Sequence, residues 1–263
     1  MKMKYYITIV LLLVLGLQQT YAQNAFFPEQ GIITYDKTVH VKNMLRRQIS
    51  LMKDGDFQRK FFEEMLDKVP ETAVLQRKLT FAGSESIVEP LAKEQPAAIA
   101  QLLRFGFLDY GTKIYQNLAT KQTSMTLEIG GSPIAISDSL TNVKWKITNE
   151  YRNIAGYDCR RANGVTLDSV YVVAFYTEQI PLASSPSSLH GLPGMILGLV
   201  VPEQNFNMYA SKVETIGATV SDNLIKKKSS AVTREQTRKK MKEIIGQWLS
   251  DKQFGFFFAA MML

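Results

Sequence analysis

Groups that cross-link a chain or bind metal are scarce in these 263 residues, which hold one cysteine and two histidines. Cys159 alone cannot close an internal disulfide, so packing has to hold the fold together. His40, Asp158, Cys159 and His190 fall at no metal-ligand spacing, and neither a metal nor a cofactor is expected. A glycine-rich phosphate loop, a nucleophile elbow and a paired-histidine zinc helix are also missing. Charge of one sign is not concentrated either. Thirty-one Lys and Arg against 24 Asp and Glu give a net +7, too mild a field for a nucleic-acid binder. Beyond the first 22 residues no apolar run is long enough to read as a membrane-spanning helix. What remains, 46% hydrophobic and 21% charged, excludes disorder and suits a chain long enough to bury a substantial core.

At the N-terminus Lys2 and Lys4 precede an apolar run over residues 5–17, and Thr20 and Ala22 offer small side chains at a cleavage site. Residues 1–22 are therefore expected to be a secretory signal peptide, with an uncleaved anchor as the alternative. Cleavage near Ala22 would leave the mature protein in the periplasm or at the outer membrane, and loss of Lys2 and Lys4 would leave a net +5. A β-rich domain is expected over residues 23–222, and a basic amphipathic helix with an apolar tail over residues 223–263.

Apolar residues at alternate positions predict strands over residues 31–41, 72–81 and 143–151. In the last of these, Val143, Trp145, Ile147 and Tyr151 are expected to face a core while Lys144, Lys146, Thr148 and Glu150 meet water. Further strands are predicted over residues 86–89, 112–118, 122–129, 133–137, 157–167, 170–177, 195–201 and 207–214. A tight turn is placed at Gly130-Gly131 and a bulge at Asn163-Gly164. Phe57, Phe61 and Met65 lie at helical spacing within residues 44–69, with Asp54 or Asp56 as a cap, and residues 96–103 form a short helix opened by Pro96. Thr233 and Gln236 make a capping box for a helix over residues 233–250 carrying Met241, Ile244, Ile245, Trp248 and Leu249 on one face. The sum is an α+β fold: a mostly antiparallel, curved, half-barrel-like sheet with a few packed helices.

The stretch Tyr176-Thr177-Glu178-Gln179-Ile180-Pro181, followed by His190-Gly191-Leu192-Pro193-Gly194-Met195-Ile196, resembles the signature of the GLPGLI family of exported Bacteroidetes proteins. Trp145-Lys146-Ile147, the run Ile154-Ala155-Gly156-Tyr157-Asp158-Cys159 and Lys78-Leu79-Thr80-Phe81 extend the resemblance over residues 31–214. Ser185-Pro186 stands where the family usually has Gly-Pro, and Met195 where it has Leu. That family is of unknown function, so the resemblance implies a cell-envelope setting and no catalytic residue.

Pro193 and Gly194 are expected to build a type II turn feeding the strand over residues 195–201. The loop is read as architectural or as the rim of a binding cleft whose other lip is Ile180-Pro181 and residues 184–189. On the second reading the binding residues are Tyr176, Pro181, His190, Gly191, Leu192, Pro193 and Gly194. Cys159 with His190 is the only pair that suggests a nucleophile and its base, and a buried structural thiol is the competing reading. Lys226, Lys227, Lys228, Arg234, Arg238, Lys239, Lys240 and Lys242, next to Phe254, Phe256, Phe257 and Phe258, are either a solvated helix with a docked tail or a peripheral membrane contact. The expectation is an exported binding or accessory protein, partnered by an outer-membrane or periplasmic protein or an apolar small ligand. The alternative is an envelope hydrolase with unidentified catalytic residues.

Overall fold

A computed structural model describes residues 27–52, 54–55, 57–129, 132–140, 143–225, 231–246 and 249–263. The leader expected over residues 1–22, the Gly130-Gly131 turn, Asp56, Lys226, Lys227, Lys228 and Trp248 lie outside the described residues. The described residues form eleven strands, all in one sheet. In chain order these are β1 (Gln30–Val39), β2 (Ala73–Ala82), β3 (Glu85–Leu91), β4 (Lys113–Asn117), β5 (Gln122–Ile129), β6 (Ser132–Ser139), β7 (Lys144–Ile154), β8 (Tyr157–Val165), β9 (Tyr171–Thr177), β10 (Met195–Val201) and β11 (Phe206–Glu214). Their spatial order, β6-β5-β4-β3-β2-β1-β11-β10-β9-β8-β7, is two antiparallel meanders joined where β1 pairs with β11. Within each meander strands consecutive in sequence pair as neighbours, the commonest arrangement for antiparallel strands. The α+β, mostly antiparallel expectation is met.

Strict alternation sets the buried face. Ile33, Tyr35, Lys37 and Val39 of β1 lie beside Leu79, Arg77, Leu75 and Ala73 of β2, while the residues between them are partly or fully exposed. Lys37 and Arg77 split this face into two apolar halves. Lys37 Nζ lies 2.6 Å from Asp109 Oδ2 and 4.8 Å from the Phe206 ring centre, and Arg77 Nη1 lies 3.4 Å from the same oxygen. Burial alone would push the Asp109 carboxyl up. The charges of Lys37 and Arg77, with hydrogen bonds from Lys37 and the Gly111 N–H, outweigh it and bring Asp109 down to about 2.

Helices cover both halves. α1 (Val41–Ser50), α2 (Phe57–Leu66) and α3 (Ala97–Arg104) bury Val41, Leu45, Phe62, Met65, Ile99 and Leu102 in one. α4 (Arg234–Ile245) and α5 (Asp251–Met262) bury Met241, Phe254, Phe258, Met261 and Met262 in the other. The helical stretch expected over residues 44–69 is two helices, with Asp54 and Gly55, both poor helix formers, in a turn between them. The helix expected over residues 233–250 stops at Ile245, and Ile244 is 60% exposed rather than on the packed face. The apolar tail is docked in the core. It forms a second capped helix, opened by a Ser250–Gln253 capping box that the sequence reading overlooked.

The strand expectation fails most clearly in β7. It is an edge strand, and Ile147 and Tyr151, expected in the core, are 40% and 65% exposed. The bulge also sits in β7, between Ile147 and Tyr151, and not at Asn163-Gly164, which pair regularly with Lys146 and Trp145. Gly164 has a different reason to be glycine: a Cβ there would lie 2.6 Å from the Trp145 ring.

Candidate functional site

The loop of residues 191–194 enters β10 against the end of β9. Its turn is the three-residue kind, closed by the Gly194 N–H on the Leu192 carbonyl at 2.9 Å, in place of the type II turn expected. The Met195 N–H donates instead to the Ile180 carbonyl at 3.1 Å, which ties the loop to residues 180–184. Leu192, Gly194 and Tyr176 are buried, Gly191, Pro193 and Pro181 are exposed, and His190 is half-buried. The His190 carbonyl accepts from the Val143 N–H at 3.0 Å and from Trp145 Nε1 at 3.1 Å, fixing the loop to the start of β7; burial lowers the imidazole pKa. In the segment of residues 184–189, Ser184 bonds Ser86 at 2.7 Å and Gln116 at 3.1 Å, and Ser185 donates to the Leu189 carbonyl at 2.7 Å. Those serines are buried and mutually satisfied.

Cys159 has no exposed surface and packs in the half of the core that holds Tyr35 and Leu197. Burial, with Asp158 adding to it, pushes its thiol up to about 12, so no thiolate is present at neutral pH. Among the described residues no group of His, Cys, Asp and Glu is placed to hold a metal ion.

Two polar constellations stand apart from these. The first is a row across three strands in which Tyr151 of β7 faces Arg160 of β8, and Arg160 faces Tyr176 of β9. Arg160 Nε donates to the Thr148 carbonyl at 2.6 Å and Nη2 to Asn149 Oδ1 at 2.8 Å. Burial raises the Tyr176 pKa, Glu178 adds to the rise and Arg160 opposes it.

The second is a cleft of about 60 Å³ between the end of β6 and the β8–β9 turn. Asp138, Asp168 and Arg234 line it with Val143, Ser188 and Leu263. Asp168 is nearly buried, bonded to Arg234 and, at 2.6 Å, to Arg238 Nη1. The Arg234 N–H donates to Asp138 Oδ2 at 3.0 Å, so this one residue joins β6 to the β8–β9 turn. Burial lowers the Arg234 pKa, and Asp168 works against that. None of these residues was singled out as a site in the sequence. Arg234 reads only as part of a basic run, and its partner Asp168 lies 66 positions away in the chain.

Comparison with known proteins points away from the GLPGLI resemblance. A family model described as "N-glycanase peptide, N-terminal domain" matches residues 116–239. The structure of PNGF-II in space group C2 is similar over 81% of this chain and 32% of that one, at 16% identity and a TM-score of 0.51. The structure of PNGF-II in space group P21 is similar over 76% of this chain and 30% of that one, at 15% identity and a TM-score of 0.46. The chain therefore spans about a third of the length of PNGF-II. No curated protein matches it. Residues 116–239 include Trp145, Cys159 and the loop of residues 191–194, the stretches on which the GLPGLI resemblance chiefly rested, and that assignment is corrected to similarity with the N-glycanase N-terminal domain. The expectation of an uncharacterised binding or accessory protein is overturned with it.

Proposed function

We propose that the chain works in the hydrolytic cleavage of N-glycans, as a counterpart of the N-terminal domain of an N-glycanase. The observation that carries this reading is the family match over residues 116–239. It takes in the charged residues that line the cleft, Asp138, Asp168 and Arg234, together with Arg238, which is bonded to Asp168. Fixed carboxylates and guanidinium groups beside apolar walls suit a polyhydroxyl ligand, which offers hydroxyl donors and acceptors close to C–H surface.

A curved, half-barrel-like sheet would serve this role by bringing its two ends together. β6 and β7 are opposite edges of the sheet, yet only residues 140–143 separate them, and a chain that short spans roughly 18 Å at most. Arg234 bonded to both Asp138 and Asp168 agrees with such a curve. Export through the leader of residues 1–22 would place the protein where glycoproteins are met.

The test is incubation of the chain with an N-glycosylated peptide and mass spectrometry of the products. The expected result is free oligosaccharide and a peptide lighter by the glycan. A peptide that keeps its glycan at stoichiometric protein, under conditions where a known glycan-releasing enzyme works, overturns the reading.

A further inference from the structure

We infer that the bulged edge strand β7 carries a sugar-binding subsite, with the Tyr151 ring as its stacking platform and Asn149 and Arg160 as its polar wall. The inference rests on the glycan reading above and names a surface separate from the charged cleft.

The two edges of the sheet are finished differently. The β6 edge is covered, because Val232 bridges it: the Val232 N–H donates to the Ala135 carbonyl and the Ser137 N–H to the Val232 carbonyl, both at 3.0 Å. Among the described residues no segment pairs with the outer edge of β7. An uncovered edge bearing large apolar groups is a hazard that folds usually bury or interrupt with charge. Here Tyr151 and Ile147 stay exposed on one face, since their partners Arg160 and Ala162 share a face of β8.

The bulge sets the geometry. Residues 148–150 stand opposite Arg161 alone, and such an insertion re-aims the side chains of the bulged strand. Two hydrogen bonds from Arg160 hold the bulge, to the Thr148 carbonyl and to Asn149 Oδ1, and the guanidinium carbon lies 5.9 Å from the Tyr151 ring centre. Because the Asn149 side-chain carbonyl is used by Arg160, its amide N–H groups are the donors it has to offer. An aromatic face beside fixed donors matches a pyranose ring, whose C–H face stacks while its hydroxyls reach sideways. A protein strand added to this edge would instead need a regular run of free backbone groups, and the bulge breaks that run.

Titration of the full chain with a mannose-rich oligosaccharide, followed by NMR shifts or calorimetry, tests the subsite. The wild type should bind, Tyr151→Ala should bind at least tenfold more weakly with an unchanged melting temperature, and Tyr151→Phe should keep most of the affinity. Asn149→Ala should weaken binding too. Equal binding by Tyr151→Ala and wild type, or no binding by the wild type, overturns the inference. Failure of glycan release with Tyr151-dependent binding intact would remove the hydrolytic reading alone, whereas release whose KM is indifferent to Tyr151→Ala would remove the subsite alone.

Discussion

Gly194 and Thr177 approach so closely that a Cβ on Gly194 would stand 2.2 Å from the Thr177 carbonyl oxygen. Gly194 also has φ +151°, a conformation that side chains resist. The clash is with backbone paired in the β9–β10 ladder, so no side-chain rotation relieves it. Gly194→Ala should destabilise the fold by about 2–4 kcal/mol, read as a lower urea midpoint at unchanged slope. Gly191→Ala, at an exposed position, should cost less.

The difference between these glycines also shows how far sequence reasoning reached. The turn at residues 191–194 was visible from Pro193 and Gly194, because those residue types restrict backbone angles locally. Period-two patterns likewise located β1 and β2, since alternation needs only one buried face. The same pattern misled in β7: apolar alternation there reports a face, and whether anything covers that face depends on helices encoded elsewhere. The signature in the loop suggested the GLPGLI family, whereas the match over residues 116–239 is to an N-glycanase N-terminal domain. Asp138, Asp168 and Arg234 carried no local signal at all, for they become a site only when both ends of the chain's sheet are brought to α4.

Among the described residues Asp109 is the sole carboxylate bonded to the buried cations Lys37 and Arg77. Removing its charge leaves both cations buried, and Asp109→Asn should cost about 3–5 kcal/mol at pH 7. The sign of the pH dependence follows from its depressed pKa. With the folded value at about 2 and the unfolded value at about 4, the stabilisation is complete above pH 4 and is lost as pH falls towards 2. Urea titrations of wild type and variant should therefore differ most at neutral pH and converge between pH 4 and 2; a constant difference would refute the assignment.

Asp168 accepts from both Arg234 and Arg238 at the first turns of α4. Asp168→Asn keeps the shape and removes the charge, and since both arginines keep partial access to water the loss should be about 1–3 kcal/mol. Amide hydrogen exchange should show the loss concentrated in α4 and at the Ile136–Val232 bridge, with the β1–β2 ladder unchanged.

Cys159 should not react with iodoacetamide or an aromatic disulfide reagent in the native protein at pH 8. A thiol with no exposed surface and a pKa raised to about 12 supplies almost no thiolate. In denaturant one equivalent should react at once. Fast native labelling would reopen the nucleophile reading that the burial of Cys159 closes.

Phe258 decides the role of the C-terminal segment. Its ring has no exposed surface, stacks on Phe254 at 6.1 Å and lies 5.3 Å and 5.2 Å from the guanidinium carbons of Arg234 and Arg238. α5 is further tied to distant elements: Gln204 Nε2 donates to the Phe256 carbonyl, and Gln253 Nε2 to the Leu51 carbonyl. A surface helix kept for membrane contact would tolerate loss of an aromatic with little change in folding. A core helix would not, because the emptied volume cannot be refilled by strands fixed in register. Phe258→Ala should therefore lower the stability of the whole sheet by about 3–5 kcal/mol in a single cooperative transition. A variant that melts like the wild type but leaves anionic vesicles would show that the segment acts at a membrane instead.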